Sequence, residues 1–311
     1  MITESVFRVP EQGDAEQIRK FAVTCGAREN DLSFVNMYLL QKKHGISFAF
    51  VKGVLLRHFS AGAHKGTFSL SFGEDVTDGE IRSAVAILEE EAGQRGELPA
   101  LSRITDFVRE KLDILYPGRW VFRGNRDYAE YFYRRDILAT MAGRKLGSKR
   151  NHVAQFVRAC PDAKTVPITP ENIDAAAAVA RQWLAGRKTA ERYEFEQEYN
   201  VIQKGLREWN FLQLKGILLM VGGSPIGMAA ASEISSGVWD EHFEKVVPGY
   251  AHAGPVLVQK LAKYLEDAVY INREEDVGDP GLRQAKLSYQ PEFLNRKYDA
   301  VPEFCSGNFC L

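Results

Sequence analysis

Lys286 and Tyr289 stand three residues apart in Gly281-Leu-Arg-Gln-Ala-Lys-Leu-Ser-Tyr289, and a helix over that stretch would set both on one face. A lysine so placed can neutralise a phosphate or a developing oxyanion. A tyrosine beside it can give a proton to a leaving group. Just ahead of them Asn272, Arg273, Glu274, Glu275 and Asp276 crowd the end of a short apolar stretch, Val269-Tyr-Ile271. So much charge at one strand end calls for nearby cations, water or a cationic substrate. Strand ends followed by helix starts commonly hold ligands, because the first helical turn leaves N–H groups unpaired.

Three further groups could carry chemistry. Glu233 ends one strand, and Trp239-Asp-Glu-His242-Phe-Glu244-Lys245 forms the next. Strict alternation places Asp240, His242 and Glu244 on one face, and Glu241, Phe243 and Lys245 on the other. Two carboxylates flanking a histidine can tune a general base, although the outer face of a half-exposed sheet gives the same pattern. In Arg144-Lys-Leu-Gly-Ser-Lys149-Arg150-Asn151-His152 four cations fall within seven residues beside a helix start. That arrangement suits a phosphate, and equally a solvated helix face. Gly249-Tyr-Ala-His-Ala-Gly254-Pro255 joins a strand to a helix, and its glycines would expose backbone amides to an anion.

The elements that must position these groups are read from periodicity. In the first half, residues 31–40 have helical spacing and 46–57 read as strand broken at Lys52-Gly53. Residues 67–72 alternate as a strand, and a helix begins at Asp78. A strand at 101–104 and a helix over 106–115 follow, the latter stopped by Pro117-Gly118. Strand resumes at 120–122, and 125–140 read as an extended connector. In the second half Ser148 is expected to cap a helix reaching Ala159, and helices follow from Pro170 and over 196–208. Strands at 216–221, 226–234 and 238–247, a helix over 255–265, a strand at 269–272, a helix at 281–288 and a strand at 293–301 complete it. Both halves mix helices with short strands and hairpins, so the expected class is α+β, with units at 1–141 and 142–302 and a tail at 303–311.

Composition sets the outer bounds. The chain has 311 residues, 45% hydrophobic and 26% charged, with net charge −1. That suffices for two domains with real cores and gives no global basic field for nucleic acid. No apolar run approaches the length of a membrane span, and Met1-Ile-Thr-Glu-Ser-Val-Phe-Arg-Val-Pro10 lacks the regions of a signal peptide. A cytoplasmic location is expected. The four cysteines, Cys25, Cys160, Cys305 and Cys310, make no disulfide framework in a chain this long. Cys305 and Cys310 could close a small loop, but reduced thiols are expected. No second CxxC or histidine pair accompanies them, so no metal is expected.

Lys149-Arg-Asn-His152, His242-Phe-Glu-Lys245, Tyr270-Ile-Asn-Arg-Glu-Glu-Asp276 and Gly281-Leu-Arg-Gln-Ala-Lys-Leu-Ser-Tyr-Gln-Pro291 resemble a soluble bacterial family of unknown function. It is grouped with the C-terminal domain of phosphatidylglycerol lysyltransferase (DUF2156-like), and the resemblance covers nearly the whole chain. It implies two tandem GNAT-like (N-acyltransferase) units, each a mixed sheet flanked by helices, related to Fem-type aminoacyltransferases. In such folds the donor lies between splayed central strands, with its phosphates at the next helix N-terminus. On this chain that points to the region between Val247 and Pro255.

The function implied is an aminoacyl- or acyltransferase with no covalently bound cofactor. Its co-substrate would be an aminoacyl-tRNA or an acyl-CoA, and its acceptor a small molecule, peptide or headgroup bearing an amine or hydroxyl. Glu233 or Glu244 would take the acceptor's proton, Lys286 would balance charge and Tyr289 would serve the leaving group. Lys149, Arg150, Asn151, Gly249 and Gly254 would hold donor phosphate. His242, Asn272, Glu274 and Asp276 would recognise the acceptor. The rival expectations are a non-catalytic binding module that senses a nucleotide, tRNA or phospholipid headgroup, and a scaffold for a partner protein.

Overall fold

A computed structural model describes residues 6–187 and 192–305. The first half comprises α1 (Ala15–Thr24), α2 (Phe34–Leu39), α3 (Gln41–His44), β1 (Ile46–Val51), β2 (Val54–Phe59), β3 (Thr67–Ser71) and α4 (Asp78–Arg95). It continues with β4 (Leu101–Ile104), α5 (Asp106–Leu115), β5 (Trp120–Arg134) and α6 (Arg135–Thr140). The second half comprises α7 (Gly147–Ala159), β6 (Lys164–Pro167), α8 (Ile173–Ala185), α9 (Arg192–Arg207), β7 (Lys215–Val221) and β8 (Ser224–Ser235). After these come β9 (Val238–Val246), α10 (Ala253–Tyr264), β10 (Tyr270–Asn272), α11 (Pro280–Leu287) and β11 (Phe293–Pro302).

Among the described residues eleven strands join one mixed sheet, in the order β1-β2-β3-β4-β11-β5-β10-β9-β8-β7-β6. The α+β class expected from the sequence therefore holds. The sheet runs unbroken past residue 141, because β11 from the end of the chain lies between β4 and β5 of the first half. The expectations for Cys310 and the last residues of the tail lie outside the described residues. Among those described, no helix is long and apolar enough to cross a membrane.

The core has three parts. One apolar cluster lies under α1, α2, α8 and α9 and includes Phe34, Trp183, Met228 and Phe243. A second, on the other face of the same strands, gathers Leu138, Phe156, Trp239, Leu257 and Tyr289. The third packs α4 and α5 on the strands of the first half through Leu70, Leu88 and Leu112. Side chains cap the starts of α4 and α11. Thr77 and Glu80 form a reciprocal capping box on α4, and Gly96 closes it at φ 67°. Asp279 accepts the Leu282 N–H ahead of α11, with Pro280 in the first turn.

Two local expectations are corrected. Residues 125–134 are no connector but the second part of β5, a fifteen-residue central strand. Tyr131 and Tyr133 enter the second cluster and Phe132 the first, so both faces are buried and the alternation vanishes from the sequence. Ser148 does not cap α7, because a 3-10 turn over Arg144–Leu146 leads straight into it and Leu146 takes the cap position.

Candidate functional site: a notch where two parallel strands part

β9 and β10 pair in parallel at Val238–Tyr270, Trp239–Ile271 and Asp240–Asn272. There β10 stops, while β9 continues to Val246. The chain leaves at Glu274, a non-glycine residue at φ 54°, in the left-handed region that costs an ordinary side chain energy. Asn272 stabilises that turn by accepting the Glu274 N–H through Oδ1 at 2.9 Å. Between the free part of β9 and the departing chain lies a notch with polar side chains on both faces of the sheet.

A bulge in β9 decides which groups reach which face. Ala230 pairs with Phe243 and Ala231 with Glu241, so His242 is the extra residue. Beyond it the phase of the strand reverses. The expected grouping of Asp240, His242 and Glu244 is thereby corrected. Asp240 and His242 face α2, whereas Glu244 joins Glu241 on the opposite face, where the Arg273 guanidinium donates to both carboxylates.

On that second face Arg273 also lies 5.0 Å from the centre of the Tyr289 ring, and the Lys149 ammonium lies 4.1 Å from it. Burial pushes the Tyr289 hydroxyl well above the usual tyrosine range, so it holds its proton. Burial and the neighbouring Arg273 lower the Lys149 ammonium. Burial raises the Glu244 carboxyl against the pull of Arg273. The first turn of α10 closes on the same spot, since a Cβ at Gly254 would stand 3.2 Å from Glu244 Oε1. His252, just before α10, stacks on His152 of α7 with ring centres 4.4 Å apart.

On the first face Asn36 of α2 is the hub. Its Nδ2 donates to Asp240 Oδ2 at 2.9 Å and to Glu274 Oε1 at 3.1 Å, and its Oδ1 lies 3.0 Å from His242 Nδ1. His242 Nε2 meets Ser232 Oγ at 2.7 Å. Burial lowers the His242 imidazole to about 3, so it is neutral. Burial together with Glu275 raises Glu274 to about 7. Burial and the Glu274 charge raise Asp240 well above the carboxylate range. Among the described residues Asp240, His242 and Glu274 also bring three ligand atoms within 4.8 Å of one another. A metal ion there would have to displace Asn36 from His242.

Lys286 links the two faces. It is buried, its ammonium donates to the Glu275 carbonyl, and it lies within electrostatic reach of Glu274, Arg273, Glu275 and Glu241. Burial lowers its pKa. The Tyr133 hydroxyl donates to the Lys286 carbonyl at 2.8 Å and fixes that turn of α11. Behind the acidic loop, Arg103 donates to Glu275 and pairs with Asp31 at 2.5 Å, while Lys297 reaches Asp31 at 2.8 Å.

The structure thus gathers Lys149, His242, Glu244, Gly254, Glu274, Lys286 and Tyr289 around one notch. Glu233 is apart from them, exposed at the β8–β9 turn, where it accepts the Gly237 N–H at 2.9 Å. Arg150 is spent on the Met141 and Gly143 carbonyls. Asn151 and Gly249 are exposed, the latter at φ 99° in the turn ahead of α10. Asn272 is buried, its amide given to the Arg28 carbonyl and to the Glu274 turn. Asp276 is fully buried and accepts from Arg126, Arg283 and Tyr131. Sequence reasoning missed Asn36 and Arg103. Each acts on residues more than 170 positions away, and no local spacing signals that.

The sequence profile described as "Phosphatidylglycerol lysyltransferase, C-terminal" matches residues 24–301. No curated protein matches the chain. Among solved structures, a conserved protein of unknown function from Bacteroides thetaiotaomicron superposes with a TM-score of 0.88 at 29% identity, covering 95% of this chain and 99% of that one. The structure of L-PGS from Bacillus licheniformis gives 0.65 at 15% identity, over 98% and 95%. The C-terminal domain (DUF2156) of a putative lysylphosphatidylglycerol synthetase from Agrobacterium fabrum gives 0.61 at 13%, over 92% of each. These last two likenesses concern the fold.

Proposed function

The chain belongs to the phosphatidylglycerol lysyltransferase C-terminal family, and from that premise we propose that it is an aminoacyl- or acyltransferase working through the notch between β9 and β10. The observation that carries this reading is the parting of two parallel strands beside a helix N-terminus, with titratable groups on both faces of the gap. The GNAT-like architecture implied by the sequence resemblance puts an acyl donor in such a gap.

In this reading the donor, an aminoacyl-tRNA or an acyl-CoA, approaches from the face of Lys149, Glu244 and Tyr289. Its phosphate meets Lys149 and the first turn of α10. The acceptor enters from the opposite face, beside Asp240 and Glu274. Glu274 takes the proton of the acceptor amine or hydroxyl as the new bond to the acyl carbonyl forms. Lys286 offsets the negative charge on the carbonyl oxygen. As the tetrahedral intermediate collapses, the bond to the donor breaks and Tyr289 gives its proton to the departing oxygen or sulfur. Glu274 suits the base better than Glu233, which caps a turn, or Glu244, which is locked to Arg273. Donors of either kind are cytoplasmic, which is where the protein would work.

The rival reading is a non-catalytic binding module, favoured by the Arg273 bridge between Glu241 and Glu244 beside the notch. One experiment separates them. Thermal stabilisation by acyl-CoA or by aminoacyl-tRNA would be followed by an assay for transfer of the labelled group to amine and hydroxyl acceptors. Transfer lost in Lys286→Ala and Tyr289→Phe supports the transferase. Binding without transfer by the wild-type protein supports the module, and full activity in both variants removes Lys286 and Tyr289 from the mechanism.

A further inference from the structure

Asn36 lies in the six-residue helix α2, more than 200 positions before the acidic loop, and is itself buried. Its carboxamide can be oriented in only one way. Its Nδ2 also donates to the Asn30 carbonyl oxygen at 3.3 Å, which can only accept, so turned over its Oδ1 would face an acceptor. With Nδ2 toward the carboxylates, Oδ1 must accept from His242 Nδ1–H. The proton of the neutral imidazole is then on Nδ1, so Nε2 accepts from the Ser232 hydroxyl. One amide therefore sets the tautomer of the histidine and the direction of the Glu274 carboxylate together.

We propose that Asn36 is a positioning residue for the second half's site, aiming the Glu274 carboxylate into the notch by donating to it. The inference rests on the reading of Glu274 as the base and adds a part from the first half of the chain. Glu274 is faced by Asp240 and His242 from β9, by Lys286 from α11, by Arg103 from β4 and by its neighbour Glu275. Burial and Glu275 oppose its ionisation, and Lys286 and Arg103 favour it. Asn36 is the neutral group that favours the carboxylate directly, by donating to it. The Asn36 carboxamide also separates the Asp240 and Glu274 carboxylates by donating to both. Removing it leaves the two carboxyl groups with only the neutral His242 ring beside both.

The test uses the whole 311-residue chain with Asn36→Leu and Asn36→Asp, both checked for folding by circular dichroism. Glu274 is titrated by NMR on protein carrying 13C-labelled glutamate, its signal assigned by loss in Glu274→Gln. Asn36→Leu is expected to move the Glu274 titration upward by about one pH unit, and Asn36→Asp further, because it adds a third carboxylate. A Glu274 midpoint unchanged in both variants overturns the proposal. A merely structural Asn36 would lower the melting temperature and leave that midpoint in place. The pH–rate profile tests Glu274 separately. If its acid limb survives in Glu274→Gln, the reading of Glu274 as base falls, while the titration still decides the role of Asn36.

Discussion

The Lys149 ammonium stands 4.1 Å from the centre of the Tyr289 ring, which ties α7 to the residue just past α11 across the notch. The contact lets ring and hydroxyl be tested apart. Tyr289→Phe keeps the aromatic face, worth about 0.5–2 kcal/mol with a cation, and removes only the proton donor. The expected outcome is a melting temperature close to wild type with kcat lower by about 100-fold. Lys149→Met should instead raise KM for the donor about tenfold and change kcat little. Steady-state kinetics with either donor checks both, and a Tyr289→Phe enzyme with normal kcat removes the tyrosine from the mechanism.

The arginine bridge on the same face makes a stability prediction. Arg273 donates to Glu241 and Glu244 and is itself largely buried. Arg273→Met strands two carboxylates in a poorly solvated place, at a cost of about 3–5 kcal/mol. Adding Glu241→Gln should recover part of that loss, since one of the two stranded charges disappears. Chemical denaturation of the single and double variants measures it. A double variant no more stable than the single would show that Arg273 matters for packing on Tyr289 and not for charge.

Most elements of the second half were legible, because 215–221, 253–264 and 293–302 carry clean periods and turn residues at their ends. The site was legible in part. Lys286 and Tyr289 fall together although α11 ends at Leu287, because the turn that closes it brings the Tyr289 N–H onto the Lys286 carbonyl. Glu244 changed face because a single extra residue at His242 reverses the phase of β9, and nothing in Glu-His-Phe-Glu marks where a bulge will fall. The strand over 125–134 was hidden by its own success: buried on both faces, it shows no alternation. Asn36 could not have been found at all, since its partners are chosen by the sheet order and not by any local pattern.

A second stability prediction concerns Asp31, which meets Arg57 at 3.6 Å, Arg103 at 2.5 Å and Lys297 at 2.8 Å. Burial works to raise its carboxyl, but Arg103, Lys297 and Arg57 together hold it well below the carboxylate range. A carboxyl lowered by folding adds stability above its unfolded pKa of about 3.9 and loses it as the pH falls toward the folded value. Asp31→Asn should therefore cost about 3–5 kcal/mol at pH 7, and the gap from wild type should shrink as the pH drops below about 4. Melting curves between pH 3 and 7 check this. A gap independent of pH would mean that Asp31 acts through its hydrogen bonds and not its charge.

Glu274 has the opposite sign. Its side chain is 30% exposed on the notch, and burial with the Glu275 charge raises it to about 7. The folded protein thus binds this proton more tightly than the unfolded chain. The associated stability is fully present below the unfolded value of about 4.3 and is lost as the pH rises through about 7. A base works only when ionised, so kcat/KM should rise with pH over that same window. Rate and stability should run in opposite directions between pH 5 and 8 if one group governs both, as about one carboxylate's titration demands. Glu274→Gln should abolish turnover and flatten the stability change together. If the rate rises in that window while Glu274→Gln leaves the stability profile unaltered, the ionisation controlling the rate belongs to another group, with Lys286 the next to be tested.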